Sequence, residues 1–287
     1  MRVAVIGAGT VGTAVAVLLQ RAGHRLVGVS GGAGTRDRAA TYLPGVSVRE
    51  SADAAAGAEL VAIGTPDDAI EPVVAELVTA GALATGTWVL HLSGSLGLDA
   101  LRVAVGVGAR RLALHPLQTF PDVGAALEGL PGCWIAVTAD DAEGARIGER
   151  LVEDLLGVPF ALADELRPLY HAAAVFASNS LVTVSAIAES LFEAAGVPDP
   201  RAAMAPLQRA TLDHVERLGA ARALTGPALR GDAGTVRRNL EALERHAPDL
   251  VSVYVALARS TLRLAERSGR ASPAARGAVE DVLAGWT

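Results

Sequence analysis

The sequence predicts an α/β fold in which a doubly wound parallel sheet is followed by an all-helical C-terminal domain. Over residues 2–163, short apolar runs alternate with alanine-rich helical stretches. Most of these runs are continuously rich in Val, Ile and Leu, which is typical of parallel strands buried on both faces. From residue 164 onward only helical patterns follow. We therefore expect two domains, one over residues 1–163 and a helical one over residues 164–287.

The first domain is predicted to contain seven strands with helices between several of them. Helices over residues 11–22 and 68–79 should follow the first and third strands, which gives the repeating strand–helix order of a doubly wound sheet. The strands are predicted over residues 2–6, 25–30, 60–64, 88–92, 111–114, 133–137 and 159–162.

The second domain is predicted to be built from four helices. The first, over about residues 166–195, is hydrophobic nearly all round, so we expect other helices to cover it, including those of a second subunit. A helix over about residues 201–218 follows, and then two amphipathic helices that end before residue 248 and near residue 268.

The composition argues against several kinds of partner and site. The 287 residues are 51% hydrophobic, which is ample for packed cores, and a net charge of −6 without blocks of like charge argues against nucleic acid. Cys133 is the only cysteine, so a thiolate metal cluster is excluded, no metal is expected, and a reducing compartment, the cytoplasm, is favoured. The apolar residues 171–190 include His, Asn and Ser, so we expect a buried helix and no membrane span.

All 25 basic residues are arginine, and the chain has no lysine. Mechanisms that require a lysine as Schiff base or proton donor are therefore excluded. Histidine, which exchanges a proton near neutral pH, becomes the natural acid–base candidate.

Residues 3–23, "VAVIGAGTVGTAVAVLLQRAG", have a Gly-x-Gly-x-x-Gly spacing at Gly7, Gly9 and Gly12, after a strand and at the head of a helix. The glycines permit a tight turn and close approach of the main chain to a pyrophosphate, which the helix N-terminus then faces. The motif predicts a dinucleotide-binding, Rossmann-like domain. The residues assigned to the cofactor here are Gly7, Gly9, Thr10, Val11 and Gly12.

The end of the second strand favours NADP over NAD. Enzymes that use NAD usually place an acid there, whereas this chain has Ser30 followed by "GGAGTRDR". Ser30 accepts a phosphate without repulsion, and Arg36 and Arg38 can pair with it. Asp37 lies among them and argues for NAD, and the arginines could instead lie on a surface loop.

Two further strands end in polar turns that should reach the same crevice, because ligands of open α/β sheets lie at the carboxyl ends of the strands. Thr65, Pro66 and Asp67 follow the third strand and are assigned to the cofactor, although Asp67 or the next aspartate could simply cap a helix. Ser93 and Gly94 follow the fourth strand. We assign Ser93 to catalysis and Gly94 to the substrate site.

"RLALHPLQTF" places His115 at the end of the fifth strand, with Gln118 and Thr119 just beyond it. His115 is the main catalytic candidate, with a turn-stabilising role as the alternative, and Gln118 and Thr119 are assigned to the substrate. His91 lies inside a strand and is expected to be a core residue. Surface positions are expected for the remaining histidines outside the long helix, which are His24, His214 and His246.

The long apolar helix carries polar residues that need partners. His171 and Ser178 are seven residues apart and should share one helix face, and Asn179 lies beside it. We assign His171 and Asn179 to catalysis and Ser178 to the substrate, with hydrogen bonds between helices as the alternative.

The segment "TGPALRGDAGTV" supplies two more substrate candidates. Arg230 could clamp a substrate carboxylate bidentately or pair with Asp232, and Asp232 could be the N-cap of the next helix.

Taken together, the glycine motif, "LHPLQTF", "YHAAAVFASNSLV" and "LTGPALRGD" resemble a family of NADP-dependent oxidoreductases in which a Rossmann-like domain precedes a helical domain of uncharacterised function. That family is similar to pyrroline-5-carboxylate reductase, ketopantoate reductase, prephenate dehydrogenase and 6-phosphogluconate dehydrogenase. The His115-Pro116 turn resembles that of prephenate dehydrogenases, where the histidine lies at the substrate. Ketopantoate reductases and the related β-hydroxyacid dehydrogenases use a helix lysine, which this chain lacks.

The resemblance implies a homodimer formed through the C-terminal helices and the NADP-dependent reduction of a small carboxylate-bearing carbonyl, a 2-oxo acid of the ketopantoate kind. A cyclic imino acid reductase or a prephenate-type dehydrogenase is the next possibility. Two other hypotheses remain: an NADP-binding regulator or scaffold without turnover, and a deazaflavin cofactor in place of nicotinamide.

Overall fold

The computed structural model describes residues 1–286 and divides into two compact units, Met1–Ser180 and Leu181–Thr287. The predicted domain boundary after residue 163 follows the last strand, whereas the first compact unit also takes in the helix after that strand. Each unit has its own apolar core.

The first unit is built on one seven-stranded sheet in the order β2-β1-β3-β4-β5-β6-β7. This confirms the predicted Rossmann-like α/β fold, with strand positions close to those expected. The strands are β1 (Arg2–Ile6), β2 (Arg25–Ser30), β3 (Leu60–Ile63), β4 (Trp88–His91), β5 (Arg110–Pro116), β6 (Trp134–Ala139) and β7 (Val158–Ala161).

One strand departs from the predicted parallel sheet. β6 runs antiparallel to β5, with Leu112 opposite Ala139 and Pro116 opposite Ile135, while all other neighbours are parallel. A strand that is apolar on both faces has the same sequence pattern in either direction, so composition does not reveal this reversal. As a consequence β6 begins beside the carboxyl end of β5.

Helices cover both faces of the sheet, and alternate residues of β1 divide between the two cores. Val3 and Val5 belong to one apolar cluster, and Ala4 and Ile6 belong to the other. The helices of this unit are α1 (Thr10–Arg21), α2 (Thr35–Tyr42), α3 (Ser51–Ala55), α4 (Asp67–Thr79), α5 (Arg102–Val105), α6 (Val123–Gly129), α7 (Ala142–Asp154) and α8 (Arg167–Ala177).

The strand order places a crevice at the carboxyl ends of β1 and β3. After β1 the chain adds β2 on one side of it and then β3 on the other. At such a switch point the connecting helices diverge, which leaves an opening outside the sheet where ligands of this fold class bind.

The second unit is helical, and its core is formed by apolar side chains of three long helices, among them Val236, Leu262 and Val279. The last of these helices was not predicted from the sequence. The helices are α9 (Asn179–Ala194), α10 (Pro200–Leu218), α11 (Ala220–Ala223), α12 (Pro227–Arg230), α13 (Ala233–His246), α14 (Val251–Arg267) and α15 (Pro273–Ala284).

The expectation of one continuous helix over residues 166–195 is wrong at Ser178. This residue has φ −121° and ψ −72°, so α8 ends before it and α9 begins after it. The apolar pattern continues across the break, so no local sequence signal marks it. The seven-residue spacing of His171 and Ser178 therefore does not place them on one helix face.

The long apolar segment is also exposed within the single chain rather than covered. Over the described part of α9 no residue is fully buried. By length and composition alone, Asp164–Ala194 is the one helical segment of residues 1–286 that could cross a membrane, which is weak support for a membrane span.

Helix α7 packs tightly on β6, and Gly148 makes this possible. A Cβ at Gly148 would lie 2.4 Å from Cγ1 of Val137. We expect Gly148→Ala to lower the free energy of unfolding by about 1–3 kcal/mol, because the added methyl overpacks the contact. The matched control is Gly277→Ala in α15, where nothing lies within 4 Å of the added Cβ and stability should stay equal or rise. Urea unfolding of both variants makes the comparison, and equal effects would contradict it.

Candidate active site

The glycine motif forms a tight turn from β1 into α1. Gly7 has φ +89°, and its N–H and that of Ala8 donate to the Ser30 carbonyl oxygen at 2.8 Å. A Cβ at Gly12 would lie 2.3 Å from the Gly7 carbonyl oxygen, so only glycine lets helix and strand approach this closely. In the part of the chain that the structure describes, no side chain caps the start of α1, whose first N–H groups remain available to an anion.

A cavity of about 360 Å³ lies at the carboxyl end of β2, beside Ser30. Arg36 and Arg49 line it, and so do the carboxylates Asp37 and Glu50. The arginines suit a phosphate and the carboxylates suit ribose hydroxyls, so the cavity has the residue types for either nicotinamide cofactor.

Arg38 is placed differently from the expectation that it pairs with a phosphate. Its Nε donates to the Ala8 carbonyl oxygen at 2.9 Å, and Nη2 donates to the Thr35 hydroxyl at 3.3 Å. The side chain therefore ties α2 to the glycine turn. Arg49 lines the cavity beside Arg36. It directly follows Val48, which pairs with Val29 of β2.

Thr65 and Asp67 reach the same edge of the sheet from β3. The Thr65 hydroxyl is buried and has no hydrogen-bond partner among residues 1–286, and the Thr65 N–H lies 2.5 Å from where a Cβ of Gly7 would stand. Pro66, not an aspartate, occupies the N-cap position of α4. Asp67 instead accepts hydrogen bonds from the hydroxyls of Ser93 at 2.7 Å and Ser95 at 2.9 Å.

Ser93 organises the turn after β4. Its hydroxyl oxygen accepts from the N–H groups of Ser95 at 3.2 Å and Leu96 at 3.1 Å. Its own N–H donates to Nδ1 of His91 at 3.2 Å, so Nε2 of His91 carries the proton and donates to the Gly97 carbonyl oxygen. As expected, His91 is a buried and satisfied core residue. Ser93 is thus tied into the turn rather than free.

His115 lies at the end of β5 next to two residues of α8. Its Nδ1 is 2.9 Å from the Tyr170 hydroxyl, and its ring centroid is 6.0 Å from that of His171. A Cβ at Gly94 would lie 2.7 Å from Nε2 of His115 and 2.5 Å from Nδ1 of His171, so both rings rest on the Gly94 main chain. Among residues 1–286, neither of these two nitrogens has a hydrogen-bond partner, and Nδ1 of His171 is buried.

Burial changes the acid–base properties of this cluster. It lowers the pKa of His115 to about 4, and the positive charge of Arg167 lowers the pKa further than any other neighbouring group does. Burial likewise raises the pKa of Tyr170 to about 12. At neutral pH the His115 ring is therefore uncharged and the Tyr170 phenol keeps its proton.

The other predicted residues lie outside this cluster or have local partners. Gln118 is exposed and its Oε1 accepts from the N–H of Thr119 at 2.8 Å. In the second unit, Asp232 caps α13 by accepting from the N–H of Thr235 at 3.0 Å, and Arg230 is exposed at the end of α12. Ser178 and Asn179 stand at the break between α8 and α9. The roles assigned to these residues stay predictions.

Sequence reasoning missed Arg167, Tyr170 and Arg49. Arg167, Tyr170 and His171 are spaced i, i+3 and i+4, so they share one face of α8, and this spacing could have pointed to the first two. Arg49 is far from Ser30 in sequence and carried no such signal. Within residues 1–286, no group of three or more His, Cys, Asp or Glu could hold a metal ion.

Two family models match the chain. One describes a Rossmann-like domain and matches residues 1–116, and the other describes a domain of unknown function, DUF2520, and matches residues 133–261. The chain therefore joins a Rossmann-like domain to a DUF2520 domain, which confirms the resemblance drawn from the sequence. No curated protein matches the chain.

Several solved structures are similar over nearly the whole chain. A protein from Bacteroides fragilis, assigned as an NADP oxidoreductase, is 25% identical with a TM-score of 0.75 over 91% of this chain and 97% of its own. A protein from Thermotoga maritima is 21% identical with a TM-score of 0.70 over 93% of this chain and 100% of its own. An imine reductase from Myxococcus stipitatus in complex with NADP+ is 16% identical with a TM-score of 0.65 over 100% and 99%. These similarities extend the shared fold through both domains.

Proposed function

We propose that the protein is an NADP-dependent oxidoreductase that reduces the C=O or C=N bond of a small carboxylate-bearing substrate. The observation that carries the proposal is the arrival of the glycine turn, Thr65, Ser93 and His115 at the carboxyl ends of neighbouring strands of one sheet. We further propose a cytoplasmic location, which the lone buried Cys133 supports.

The residues present fit a dinucleotide. The uncapped start of α1 and the Gly7 turn suit the pyrophosphate, and Arg36 and Arg49 suit a ribose phosphate. The buried, unpartnered Thr65 hydroxyl is a polar group that a ligand at this edge would satisfy. When bound, NADPH supplies the hydride for reduction. The similar structures from Bacteroides fragilis and Myxococcus stipitatus, an NADP oxidoreductase and an imine reductase with NADP+, support this assignment.

His115 is proposed as the group that meets the reacting oxygen or nitrogen. We assign the Tyr170 hydroxyl as the donor to Nδ1, which puts the proton of the uncharged ring on Nε2, the nitrogen that has no partner among the described residues. A neutral N–H donor in a half-buried site stabilises negative charge as it develops and can then release its proton. The proposed donor is therefore an uncharged ring, whereas histidine was selected from the sequence as a group that exchanges a proton near neutral pH. His171, Asn179 and Ser93 remain secondary catalytic candidates.

A 2-oxo acid of the ketopantoate kind is our first substrate proposal, with Arg230 as the carboxylate clamp and Gln118, Thr119, Ser178 and Gly94 lining the substrate. A cyclic imino acid, which the resemblance to pyrroline-5-carboxylate reductase suggests, is the second; the imine reductase among the similar structures likewise acts on a C=N bond. A prephenate-type dehydrogenase is the remaining alternative in this class.

Arg49 and Arg36 should decide between the two nicotinamide cofactors. We expect Arg49→Ala and Arg36→Ala each to weaken NADPH binding by about 10-fold or more, because a charge-assisted hydrogen bond to phosphate is lost, with little change for NADH. Fluorescence titration with both cofactors measures this. Arg25→Ala is the control, because Arg25 begins β2 and Ser30, beside the cavity, ends it. Equal losses for both cofactors, or tighter binding of NADH by the wild type, would assign the cavity and its carboxylates Asp37 and Glu50 to NAD.

His115→Ala should leave the affinity for NADPH within a few-fold while it lowers turnover by about 100-fold or more, as is typical of a lost acid or electrostatic donor. Loss of nicotinamide absorbance with 2-oxo and imino acids measures turnover, and His214→Ala is the surface control. Unchanged turnover would return His115 to a turn-stabilising role. Binding without turnover of any candidate would favour the regulator or scaffold, and binding of neither nicotinamide cofactor would favour a deazaflavin.

We also propose that a second copy of the chain covers the apolar surface of α9 and α10. Val182 is 68% exposed and Leu207 is 63% exposed, and further large apolar side chains of both helices are exposed with them, which is typical of an interaction surface. Val182→Glu and Leu207→Glu should each convert the protein from about twice the 29.2 kDa of one chain to the monomer, whereas the exposed Leu257→Glu on α14 should not. Light scattering after size-exclusion chromatography gives the mass. A monomeric wild type, or one that requires detergent, would contradict the dimer.

A further inference from the structure

Arg167, at the start of α8, is a completely buried charged residue. Its guanidinium donates to the main-chain oxygens of Ser93 and Leu96 and to the Thr138 hydroxyl, the last at 3.0 Å. No carboxylate among residues 1–286 lies within ion-pair distance of it. A buried charge is costly to retain, so its position needs an explanation beyond packing.

The two main-chain bonds of Arg167 hold the turn that supports the candidate site. They bind residues 93 and 96, on either side of Gly94, whose main chain touches the unpartnered nitrogens of His115 and His171. Because Arg167 and His171 belong to the same helix, the turn and one of the rings above it are fixed to a single rigid element.

The charge of Arg167 also acts on His115. Burial is the main cause that lowers the pKa of this ring, and Arg167 is the next. The other groups that face the ring are His171 and Tyr170 of α8, His91 of β4 and Asp67 of α4, of which the Asp67 carboxylate acts in the opposite direction. His91 responds to Arg167 in the same way.

We propose that Arg167 is the positioning residue of this site: it holds the Ser93–Leu96 turn beneath the two imidazoles and places its positive charge where it disfavours protonation of His115. This inference rests on the proposed function for its meaning in the reaction. The role of Arg167 is then to preserve a neutral Nε2–H donor that Tyr170 supports from the other side of the ring.

This arrangement defines a proton path through His115 and Tyr170. When the substrate is reduced, the electron pair of its C=O or C=N bond moves to the oxygen or nitrogen, which takes the Nε2 proton of His115 while Nδ1 takes the phenol proton of Tyr170. After the product leaves, the solvent supplies to Nε2 the one proton that the reduction consumes, and Nδ1 returns its proton to the phenolate, so both side chains regain their starting states. The nearby Arg167 charge lowers the pKa of Tyr170 against the effect of burial, so it favours this transient phenolate.

The test follows the charge state of His115 by NMR in the full chain with isotope-labelled histidine, and it needs neither cofactor nor substrate. The ring signals of the wild type, Arg167→Lys, Arg167→Gln and Arg167→Met are followed from pH 8 to pH 4, with His115→Gln used for assignment. Arg167→Met removes the charge without leaving a buried polar group, which guards against a misfolded glutamine variant. Arg111→Gln removes an arginine that does not act on His115 and is the matched control.

The wild-type ring should be neutral at pH 5.5, with the proton on Nε2. Loss of the positive charge in the Gln and Met variants should raise the pKa of His115 by about 1 or more, while Arg167→Lys and Arg111→Gln leave it near the wild-type value. A wild-type ring that is protonated at pH 5.5, or a pKa that does not move in a folded neutral variant, would overturn the inference. Because cofactor binding is measured separately, loss of the NADP assignment and loss of this inference are distinguishable.

Discussion

The candidate site depends on main-chain segments that approach more closely than any side chain would allow. A Cβ at Gly12 would lie 2.3 Å from the Gly7 carbonyl oxygen, and a Cβ at Gly64 would lie 2.8 Å from the same atom. These contacts lock α1 against the ends of β1 and β3, at the switch point of the sheet. The turns after β4 and β5 lie at the same carboxyl end of the sheet, so their positions depend on this packing as well.

A second constraint is electrostatic. Burial and the nearby Arg167 charge both disfavour the protonated form of His115, so the site is built around an uncharged ring. In a chain without lysine, we propose that the uncharged His115 ring, whose Nδ1 lies 2.9 Å from the Tyr170 hydroxyl, is the hydrogen-bond donor of the site.

Most of the fold could be predicted from the sequence, because continuous apolar strands, the glycine spacing and helical periodicity are local signals. The break at Ser178 could not, since the apolar pattern runs through it and only the tertiary structure sets its backbone angles. His115 was predicted from its place at a strand end. Tyr170 and Arg167 share a helix face with His171, which was a usable signal, but their contacts with β5 and the β4 turn are made between segments distant in sequence and could not be predicted from it.

At this site we propose that hydride passes from a nicotinamide cofactor to a carbonyl or imine carbon. The most direct measurement incubates the protein with NADPH deuterated at C4 and a mixture of 2-oxo acids and cyclic imino acids, and then examines the products by mass spectrometry. We predict that the wild type forms a product with one deuterium on the reduced carbon and that His115→Ala forms almost none. Bound NADPH with no deuterium in any product would contradict it.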